Sequence, residues 1–254
     1  MDIFGNPAKI LQHMSFRLVF NNRQKTGEII GDNLKKYFKS GKKKDYLIDV
    51  RSLLVIGIPR GGLVVANEIA KKLGCDLDLI YPVRILNSDN ETTIGSILIL
   101  DSPAGPHVIN SKNSFHNFLV YLNGEKAEIY FDKYKERIIK KSLDKFKKFG
   151  SVSHESIKNK TVIVVDDGVF SGATAITALR WIRTQEPRKL IFATPVAPLD
   201  IVNKIKEDSK ISLDYLEILK VRSSFNYRTV DYYYKNFEYV EDDHINSIIR
   251  NANI

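Results

Sequence analysis

Residues 161–177 read TVIVVDDGVFSGATAIT, and this stretch decides the fold around it. The run 161–165 is apolar and rich in β-branched side chains, which predicts a buried strand. Two adjacent carboxylates, Asp166 and Asp167, follow it directly. A loop of small residues comes next, and a helical pattern begins near Ala173. The stretch therefore predicts a strand, an acidic pair, a loop and a helix in succession.

The loop between the acidic pair and the helix is suited to hold a phosphate group. It consists of Gly168, Val169, Phe170, Ser171, Gly172, Ala173 and Thr174. Small residues let backbone N–H groups approach an anion closely, hydroxyl groups add donors, and a helix amino terminus is positively polarised. The carboxylates would repel a phosphate on contact, so we expect them to face neutral hydroxyl groups or metal-bound water. A ribose 5-phosphate has this arrangement of groups.

Two nucleotide-binding motifs do not fit this loop. A Walker loop requires a lysine after its second glycine, where this chain has Ala173, and the loop does not contain the dinucleotide fingerprint G-x-G-x-x-G. An ordinary strand-to-helix turn, in which the acidic residues only cap the helix, is the remaining alternative. The consecutive aspartates argue against it.

A second segment with the same plan lies upstream. The apolar run 53–58 leads into a short loop, and a helical pattern follows over 63–73. The loop consists of Pro59, Arg60, Gly61 and Gly62. Its arginine would supply fixed positive charge, and its glycines would bring backbone amides close to an anion. Taken alone, such a loop is equally typical of a plain turn, but beside the downstream loop it favours a second anion site.

The string 164–174, VVDDGVFSGAT, resembles the phosphoribosyl diphosphate (PRPP) binding motif of type I phosphoribosyltransferases. That motif runs as two hydrophobic, two acidic and three variable residues, then Ser or Thr, Gly, a variable residue and Thr. The resemblance implies that the 168–174 loop binds the 5-phosphate and that the 59–62 loop binds the pyrophosphate. It also implies Asp166, Asp167 and Arg60 as the catalytic residues, with both carboxylates near the ribose hydroxyls.

The resemblance further implies Mg²⁺ as the cofactor. We expect PRPP and water to carry the ion, with water-mediated contacts to Asp166 and Asp167 and no direct protein ligand, because Mg²⁺ keeps several waters and prefers substrate phosphates. Arg84, after a predicted strand, is the candidate for a second pyrophosphate contact, and a surface ion pair is its alternative role.

The resemblance extends to a group of predicted phosphoribosyltransferases that have no assigned base. Its amino-terminal pattern F-x-D-R-x-x-A-G is similar to residues 20–27, and its late pattern W-Y-x-D-F is similar to residues 233–237. Further landmarks occur in the same order at 57–62, 83–84, 94–96 and 108–110. The chain departs from the group at Asn22 and Asn236, where aspartate is expected, and at Ile85, where lysine is expected.

The acceptor is the least readable part of this interpretation. Phe170 stands where 6-oxopurine transferases of the superfamily carry an aspartate proposed as general base, and a phenyl ring cannot accept a proton. The aromatic residues near the carboxyl terminus suggest a stacking surface for a flat heterocycle, with Tyr233 and Tyr234 as candidate base-binding residues. Packing of these rings onto the core is the alternative. Lys112 or His107 is a candidate catalytic residue of a flap.

Apolar strand runs alternate with helical patterns along the chain, which predicts an α/β fold with a mainly parallel, twisted sheet flanked by helices. The resemblance implies the Rossmann-like fold of type I phosphoribosyltransferases. We expect a single domain over residues 1–254, with a core at about 16–198, a flexible flap at about 86–124 and a small carboxy-terminal hood at about 199–254. In an open parallel sheet, loops that follow neighbouring strands meet at one edge, so both glycine loops can face one crevice.

The predicted elements follow from hydrophobic periodicity. Helices are expected at 23–39, 63–73, 125–149, 173–184 and 200–208, and strands at 53–58, 78–84, 94–100, 107–110, 161–165 and 189–193. Pro195 and Pro198 are expected to end the last strand.

Composition sets limits on partners and location. The formal net charge of +9 suits an anionic substrate, and nucleic-acid binding is the alternative, although no nucleic-acid module accompanies the lysine clusters. The lone Cys75 cannot form an intramolecular disulfide. Neither a signal-like segment nor a long apolar stretch occurs in the sequence. We therefore expect a cytoplasmic protein whose partners are PRPP and a small heterocycle, without membrane or nucleic acid, and a homodimer is conceivable because related enzymes are often dimers.

Three functional classes remain open from the sequence. The leading hypothesis is a Mg²⁺-dependent phosphoribosyltransferase of nucleotide synthesis or salvage. The second is a PRPP-binding regulatory protein without turnover. The third is a sugar-phosphate hydrolase that uses the same site without a base.

Overall fold

The structure is a computed structural model that describes residues 20–39, 49–86, 93–100, 107–110, 140, 143–144, 147–150 and 154–252. The helices are α1 (Arg23–Lys39), α2 (Gly61–Leu73), α3 (His154–Ile157), α4 (Ala173–Thr184), α5 (Leu199–Glu207) and α6 (Asp242–Asn251). The strands are β1 (Leu53–Gly57), β2 (Asp76–Leu79), β3 (Pro82–Leu86), β4 (Thr93–Leu100), β5 (His107–Asn110), β6 (Thr161–Val165), β7 (Lys189–Pro198) and β8 (Tyr215–Arg222). We call the segment after β8, residues 223–252, the tail.

The main sheet is parallel throughout. Its strand order is β2-β1-β6-β7-β8, and each neighbouring pair runs in the same direction. Strands β1 and β6 lie in the middle of this order and are buried along their whole length. Continuous apolar runs are expected for strands covered on both faces. The sheet confirms the predicted α/β fold.

Helices cover both faces of this sheet. Along β1, Leu54 and Ile56 pack into the cluster formed with α4 and α5, while Val55 packs into the cluster formed with α1, α2 and α6. Successive side chains of a strand point to opposite faces, so one apolar strand supplies both cores. The predicted helices at 23–39 and 173–184 and the predicted strand at 161–165 are confirmed with their bounds unchanged.

A second, smaller sheet follows β2. It is antiparallel, with the order β3-β4-β5, and it packs beside α4. The prediction of one strand over 78–84 is wrong, because the chain leaves the main sheet after β2 and enters the second sheet at β3. The predicted β-like pieces at 94–100 and 107–110 are confirmed as β4 and β5.

The main sheet continues further than predicted. Strand β7 passes through Pro195 and ends at Pro198, although these prolines were expected to break it. Its pairing with β6 ends at Ala193, so Pro195 lies where one side of the strand has no ladder partner, and a proline is tolerated there. The hood was expected to begin after residue 198. Strand β8 lies in that part of the chain, yet it pairs with β7 and extends the main sheet.

Part of the predicted helix at 125–149 is described. Residues 140, 143–144 and 147–149 are helical, and the rest of that helix lies outside the described residues, as does most of the predicted flap. Of the helices that are described, none is long and apolar enough to cross a membrane.

Candidate functional site

The two glycine loops lie side by side at the carboxyl edge of the main sheet. Strands β1 and β6 are hydrogen-bonded neighbours, and their last residues, Gly57 and Val165, are paired. The N–H of Ile58 donates to the carbonyl of Val165 at 2.8 Å, so the contact continues past the strand ends. The structure therefore brings the two sequence-predicted loops to one groove.

The glycines of the 59–62 loop make room for the acidic pair. A Cβ built at Gly61 would overlap Asp167 Oδ2 and the Nε of Arg23. A Cβ at Gly62 would lie 2.8 Å from the Val165 carbonyl oxygen and 3.2 Å from Asp166 Oδ1. Any side chain at either position would push the loops apart. Glycine is required here for close approach.

Both carboxylates are largely withdrawn from solvent. Asp166 is 8% exposed, and its Oδ1 accepts a hydrogen bond from the N–H of Asp167 at 2.9 Å. The side chain of Asp167 is 15% exposed. Burial of charge is costly unless it is compensated by partners, and the structure supplies a partner for Asp167.

That partner is Arg23, the first residue of α1. Its Nε donates to Asp167 Oδ2 at 2.7 Å, and its Nη1 donates to the Glu238 carbonyl oxygen at 2.7 Å. The guanidinium carbon lies 3.7 Å from the centre of the Phe237 ring. Sequence reasoning placed Arg23 in a landmark pattern but assigned it no role. A contact spanning 144 residues leaves no local signal that could have revealed it.

The 168–174 loop leads into α4 as predicted. Gly172 has φ of 75°, a left-handed conformation that favours glycine, and makes no side-chain cap to the helix. The first amides of a helix have no internal acceptors, and here the Ala173 N–H donates a long hydrogen bond of 3.4 Å to the Ser171 hydroxyl oxygen. Ser171 and Thr174 are partly exposed beside them. Val169 anchors the loop to β7 through its N–H, which donates to the Val196 carbonyl at 2.9 Å.

Arg60 reaches the tail in this structure. Its Nη1 donates to the Val240 carbonyl oxygen at 2.7 Å, and its Nη2 lies 2.6 Å from Asp242 Oδ1. The centre of the Tyr239 ring lies 5.0 Å from the guanidinium carbon. The peptide bond between Pro59 and Arg60 is cis. The guanidinium stands at the 59–62 loop, but the tail holds it.

The aromatic residues near the 168–174 loop divide into buried and accessible rings. Tyr233 is 2% exposed and Tyr234 is 6% exposed, and both pack in one cluster with Phe20 and with Val196 of β7. The hypothesis that these two rings stack on a heterocycle needs correction, because their faces are covered by protein. Phe170 is 49% exposed, and its ring centre lies 6.1 Å from that of the half-buried Tyr227. Phe170 is therefore the accessible ring of the 168–174 loop.

Two buried phenol groups, those of Tyr234 and Tyr227, lie near the acidic pair. Tyr234 Oη donates to the carbonyl oxygen of Asp167 at 2.6 Å. Burial raises its pKa above the ordinary value, and the neighbouring Asp167 charge adds to the rise. Burial also raises the pKa of Tyr227, assisted by Tyr233 and the acidic pair. Both phenols remain protonated at neutral pH, and the hydroxyl of Tyr234 serves as a hydrogen-bond donor.

Three predicted candidates cannot be placed in the groove. Arg84 belongs to β3, where it pairs with Ser96 of β4, but its side chain lies outside the described part of the structure. The same holds for the side chain of His107, the first residue of β5. Lys112 lies outside the described residues.

Arg23 also lines a polar cleft. Its walls come from the start of α1, from α2, from the tail and from α6, and they consist of Asn22, Arg23, Gln24, Val64, Asn236, Glu238, Tyr239, Val240 and His244. The cleft adjoins the two loops, because Arg23 also contacts Asp167, and Tyr239 and Val240 also contact Arg60. Among the described residues, no group of three or more acidic, histidine or cysteine side chains could hold a metal ion.

Comparison with known proteins identifies the family to which the chain is similar. A sequence model of the phosphoribosyl transferase domain matches residues 20–236. Two Mycobacterium tuberculosis proteins provisionally named as phosphoribosyl transferases, Rv0571c of strain H37Rv and MT0597 of strain CDC 1551, are each 24% identical over 205 residues. That match covers 80% of this chain but 42% of theirs, so the chain spans less than half the length of these relatives.

A solved structure shares the fold. The crystal structure of TT1426 from Thermus thermophilus superposes with a TM-score of 0.62 at 23% identity, over 91% of this chain and 98% of that one. At this identity the likeness supports the fold alone.

Proposed function

Because the chain belongs to the phosphoribosyl transferase family, we propose that it transfers the 5-phosphoribosyl group of PRPP to a nitrogenous heterocycle with release of pyrophosphate, in nucleotide synthesis or salvage. The observation that carries the proposal is the contact between the 59–62 loop and the acidic pair, which brings two glycine loops and two carboxylates together. PRPP has charged groups at both ends and neutral hydroxyls between them.

We assign the 5-phosphate to the 168–174 loop. The support is the first turn of α4, where Gly172 provides no side-chain cap and the Ser171 hydroxyl oxygen makes a long 3.4 Å contact with the Ala173 N–H. Ser171 and Thr174 are also partly exposed. Orphan helix amides and hydroxyl donors at a helix amino terminus favour an anion. The pyrophosphate is assigned to the 59–62 loop, where Arg60 and the backbone amides of the glycines supply donors.

The reaction breaks the C1–O bond, and the electron pair leaves with pyrophosphate. A ring nitrogen of the acceptor forms the new bond to C1 and loses its proton. Positive charge develops on the ribose, and Asp166 and Asp167 beside it stabilise that charge, while Arg60 stabilises the departing anion. The carboxylates are fixed before substrate binds, since Asp167 is held through both its side chain and its carbonyl oxygen.

Mg²⁺ fits this site as an ion carried by the substrate. The acidic pair offers two adjacent carboxylates, and the described residues contain no larger cluster that could hold a metal ion. Asp166 and Asp167 would contact the hydration water of the ion rather than replace it, since Mg²⁺ keeps several waters. When bound, the ion would neutralise charge on the pyrophosphate.

The acceptor is assigned to the accessible rings rather than to the buried ones. Phe170 lies in the 168–174 loop with half of its surface exposed, and Tyr227 lies against it. Flat heterocycles stack on such rings. Because Phe170 has no proton-accepting group, an acceptor whose deprotonation requires a carboxylate at that position is a poor substrate.

The test is a screen for pyrophosphate release. Purines, pyrimidines and related heterocycles are each incubated with the protein, PRPP and Mg²⁺, and pyrophosphate is measured against a control without heterocycle. The proposal predicts that at least one heterocycle accelerates release and that a nucleotide is formed. PRPP binding without acceptor-dependent release would contradict the transferase and point to a regulatory protein, and release that no heterocycle accelerates would point to a hydrolase.

A further inference from the structure

Arg23 is the most deeply buried cation at the groove, with 8% exposure. Its guanidinium is bound on two edges and one face: Nε contacts Asp167, Nη1 contacts the Glu238 carbonyl, and the ring of Phe237 lies against the plane. A planar guanidinium held in this way has a single orientation. The arginine is therefore a rigid support rather than a mobile surface charge.

The position of Arg23 depends on the two chain segments that flank the groove. Phe20 and Tyr234 form a parallel bridge, with the Phe20 N–H donating to the Tyr233 carbonyl at 3.1 Å and the Lys235 N–H donating to the Phe20 carbonyl at 2.9 Å. Asn236 continues the pairing through its N–H, which donates to the Asn21 carbonyl at 3.0 Å. The segment that precedes α1 is thus tied to the tail, and Arg23 follows it directly.

Asp167 receives contacts from both of these segments. Arg23 binds one carboxylate oxygen, Oδ2, and Tyr234 donates to the backbone carbonyl of the same aspartate. Gly61 lies against the carboxylate from the opposite loop. The aspartate is consequently constrained in rotamer and in backbone position.

We propose that Arg23 is a positioning residue that fixes Asp167 so that its other carboxylate oxygen, Oδ1, receives a ribose hydroxyl of PRPP. The proposal rests on the proposed function and adds to it a role for the paired chain segments, which act on the sugar site through Arg23. In this role Arg23 acts through Asp167 rather than on PRPP directly, because its Nε and Nη1 are engaged with protein oxygens and Phe237 covers one face.

The experiment is a double-mutant cycle on PRPP binding. The wild type, Arg23→Gln, Asp167→Asn and the double variant are each titrated with PRPP and Mg²⁺ by calorimetry. Removing the group that orients a ligand-binding side chain is expected to weaken binding about ten- to a hundredfold. Because Arg23 acts through Asp167, Arg23→Gln is expected to add less than about twofold in the Asp167→Asn background, as coupled residues are not additive.

A matched control separates positioning from general stability. Arg180 and Asp208 form another partly buried pair, with Nη2 and Oδ2 2.6 Å apart, remote from the groove. Arg180→Gln is expected to lower the unfolding temperature as Arg23→Gln does, yet to leave the PRPP Kd unchanged. If Arg23→Gln does not fold, Tyr234→Phe takes its place, since it removes only the hydroxyl that holds the Asp167 carbonyl. We expect it to weaken PRPP binding about two- to tenfold, the value of one hydrogen bond.

Each outcome decides the question. If Arg23→Gln lowers PRPP affinity by the same factor in the wild type and in the Asp167→Asn background, the positioning role is overturned and a direct contact of Arg23 with PRPP is indicated. An unchanged Kd in Arg23→Gln, or in Tyr234→Phe where that variant is used, would also overturn it while leaving the proposed function standing. Absence of PRPP binding by the wild type would sink the proposed function itself.

Discussion

The loops after β1 and β6 have the same plan but differ in what covers them. Each follows a fully buried strand and leads into a helix. In the 59–62 loop, Arg60 is held by Val240 and Asp242 of the tail, and Gly61 lies against Asp167. In the 168–174 loop, Phe170 remains half exposed. The arginine of one loop is engaged by the tail, whereas the Phe170 side chain of the other loop is open to solvent.

This difference indicates how the groove would fill. An open loop accepts a phosphate without breaking protein contacts, whereas an engaged arginine must exchange a carboxylate for a phosphate. The exchange costs little, because ion pairs that stay partly in water contribute only about 0–1 kcal/mol. We therefore expect the 5-phosphate end of PRPP to contribute most of the ground-state affinity and the pyrophosphate end to depend on the tail.

The largest effect is expected at the point shared by both loops, the acidic pair. Asp166→Asn with Asp167→Asn removes the charge beside the ribose, and the loss of transition-state stabilisation should lower turnover by about a thousandfold or more. Steady-state pyrophosphate release measures it. Asp76→Asn, which changes an exposed carboxylate on β2, is the control and should keep wild-type rates. Turnover within about tenfold of the wild type in the double variant would remove the proposed ribose contact.

A smaller effect, on PRPP affinity, is expected from Gly61→Ala. This substitution separates the two loops without changing the charge of the protein. The added Cβ would overlap the side chains of Asp167 and Arg23, and overpacking of this kind costs about 1–3 kcal/mol. We expect weaker PRPP binding together with a lower unfolding temperature. Gly74→Ala is the control: Gly74 has φ of 69° but open space around it, so the same substitution should destabilise without affecting PRPP. Equal PRPP affinity in both variants would argue against close contact of the loops.

The open loop is tested by Phe170→Ala. Because Phe170 is half exposed, the unfolding free energy should change by less than about 0.5 kcal/mol. The KM for the heterocycle should rise about tenfold, since stacking on an aromatic ring is worth about 1–3 kcal/mol, while the PRPP Kd stays the same. Steady-state kinetics at saturating PRPP measures this change. Loss of PRPP affinity without a change in acceptor KM would contradict the assignment of this ring.

The smallest effect is expected from Asp242→Asn, which releases Arg60 from the tail. Hydrogen bonding to Lys148, and then to Arg60, holds the pKa of Asp242 below its ordinary value of 3.8. The contact is therefore complete at neutral pH and is lost as the pH falls below that value. The neutral amide should tighten pyrophosphate binding about two- to fivefold, the equivalent of an exposed ion pair. Pyrophosphate inhibition measured at neutral pH would show it, and weaker inhibition would mean that Asp242 assists the anion.

The order of elements and the two loops could be predicted from sequence because they depend on local patterns. An apolar run of five residues, a glycine and a helical period are read directly from 161–177. The break after β2 and the continuation of β7 through Pro195 could not be predicted in this way, because both depend on which neighbouring strand is present.

The supports of the site were also beyond local reasoning. Arg23 and Asp167 are 144 residues apart, and Tyr234 reaches Asp167 across 67 residues. Tyr233 and Tyr234 were assigned to the base from their aromatic character and, for Tyr233, from its match to the tryptophan of the W-Y-x-D-F pattern; neither signal distinguishes a buried ring from an exposed one. For Phe170, the sequence showed that the ring cannot take a proton, and only the structure showed that it is exposed.

The most direct test of the central claim, that one groove receives both ends of PRPP, is a competition titration by calorimetry. The protein is saturated with ribose 5-phosphate and pyrophosphate together, in the presence of Mg²⁺, and is then titrated with PRPP. The claim predicts that PRPP displaces both fragments with a stoichiometry of about one per chain, as expected when a linked ligand fills two adjacent sites. PRPP that displaces only one fragment, or that produces no heat with the free protein, would contradict it.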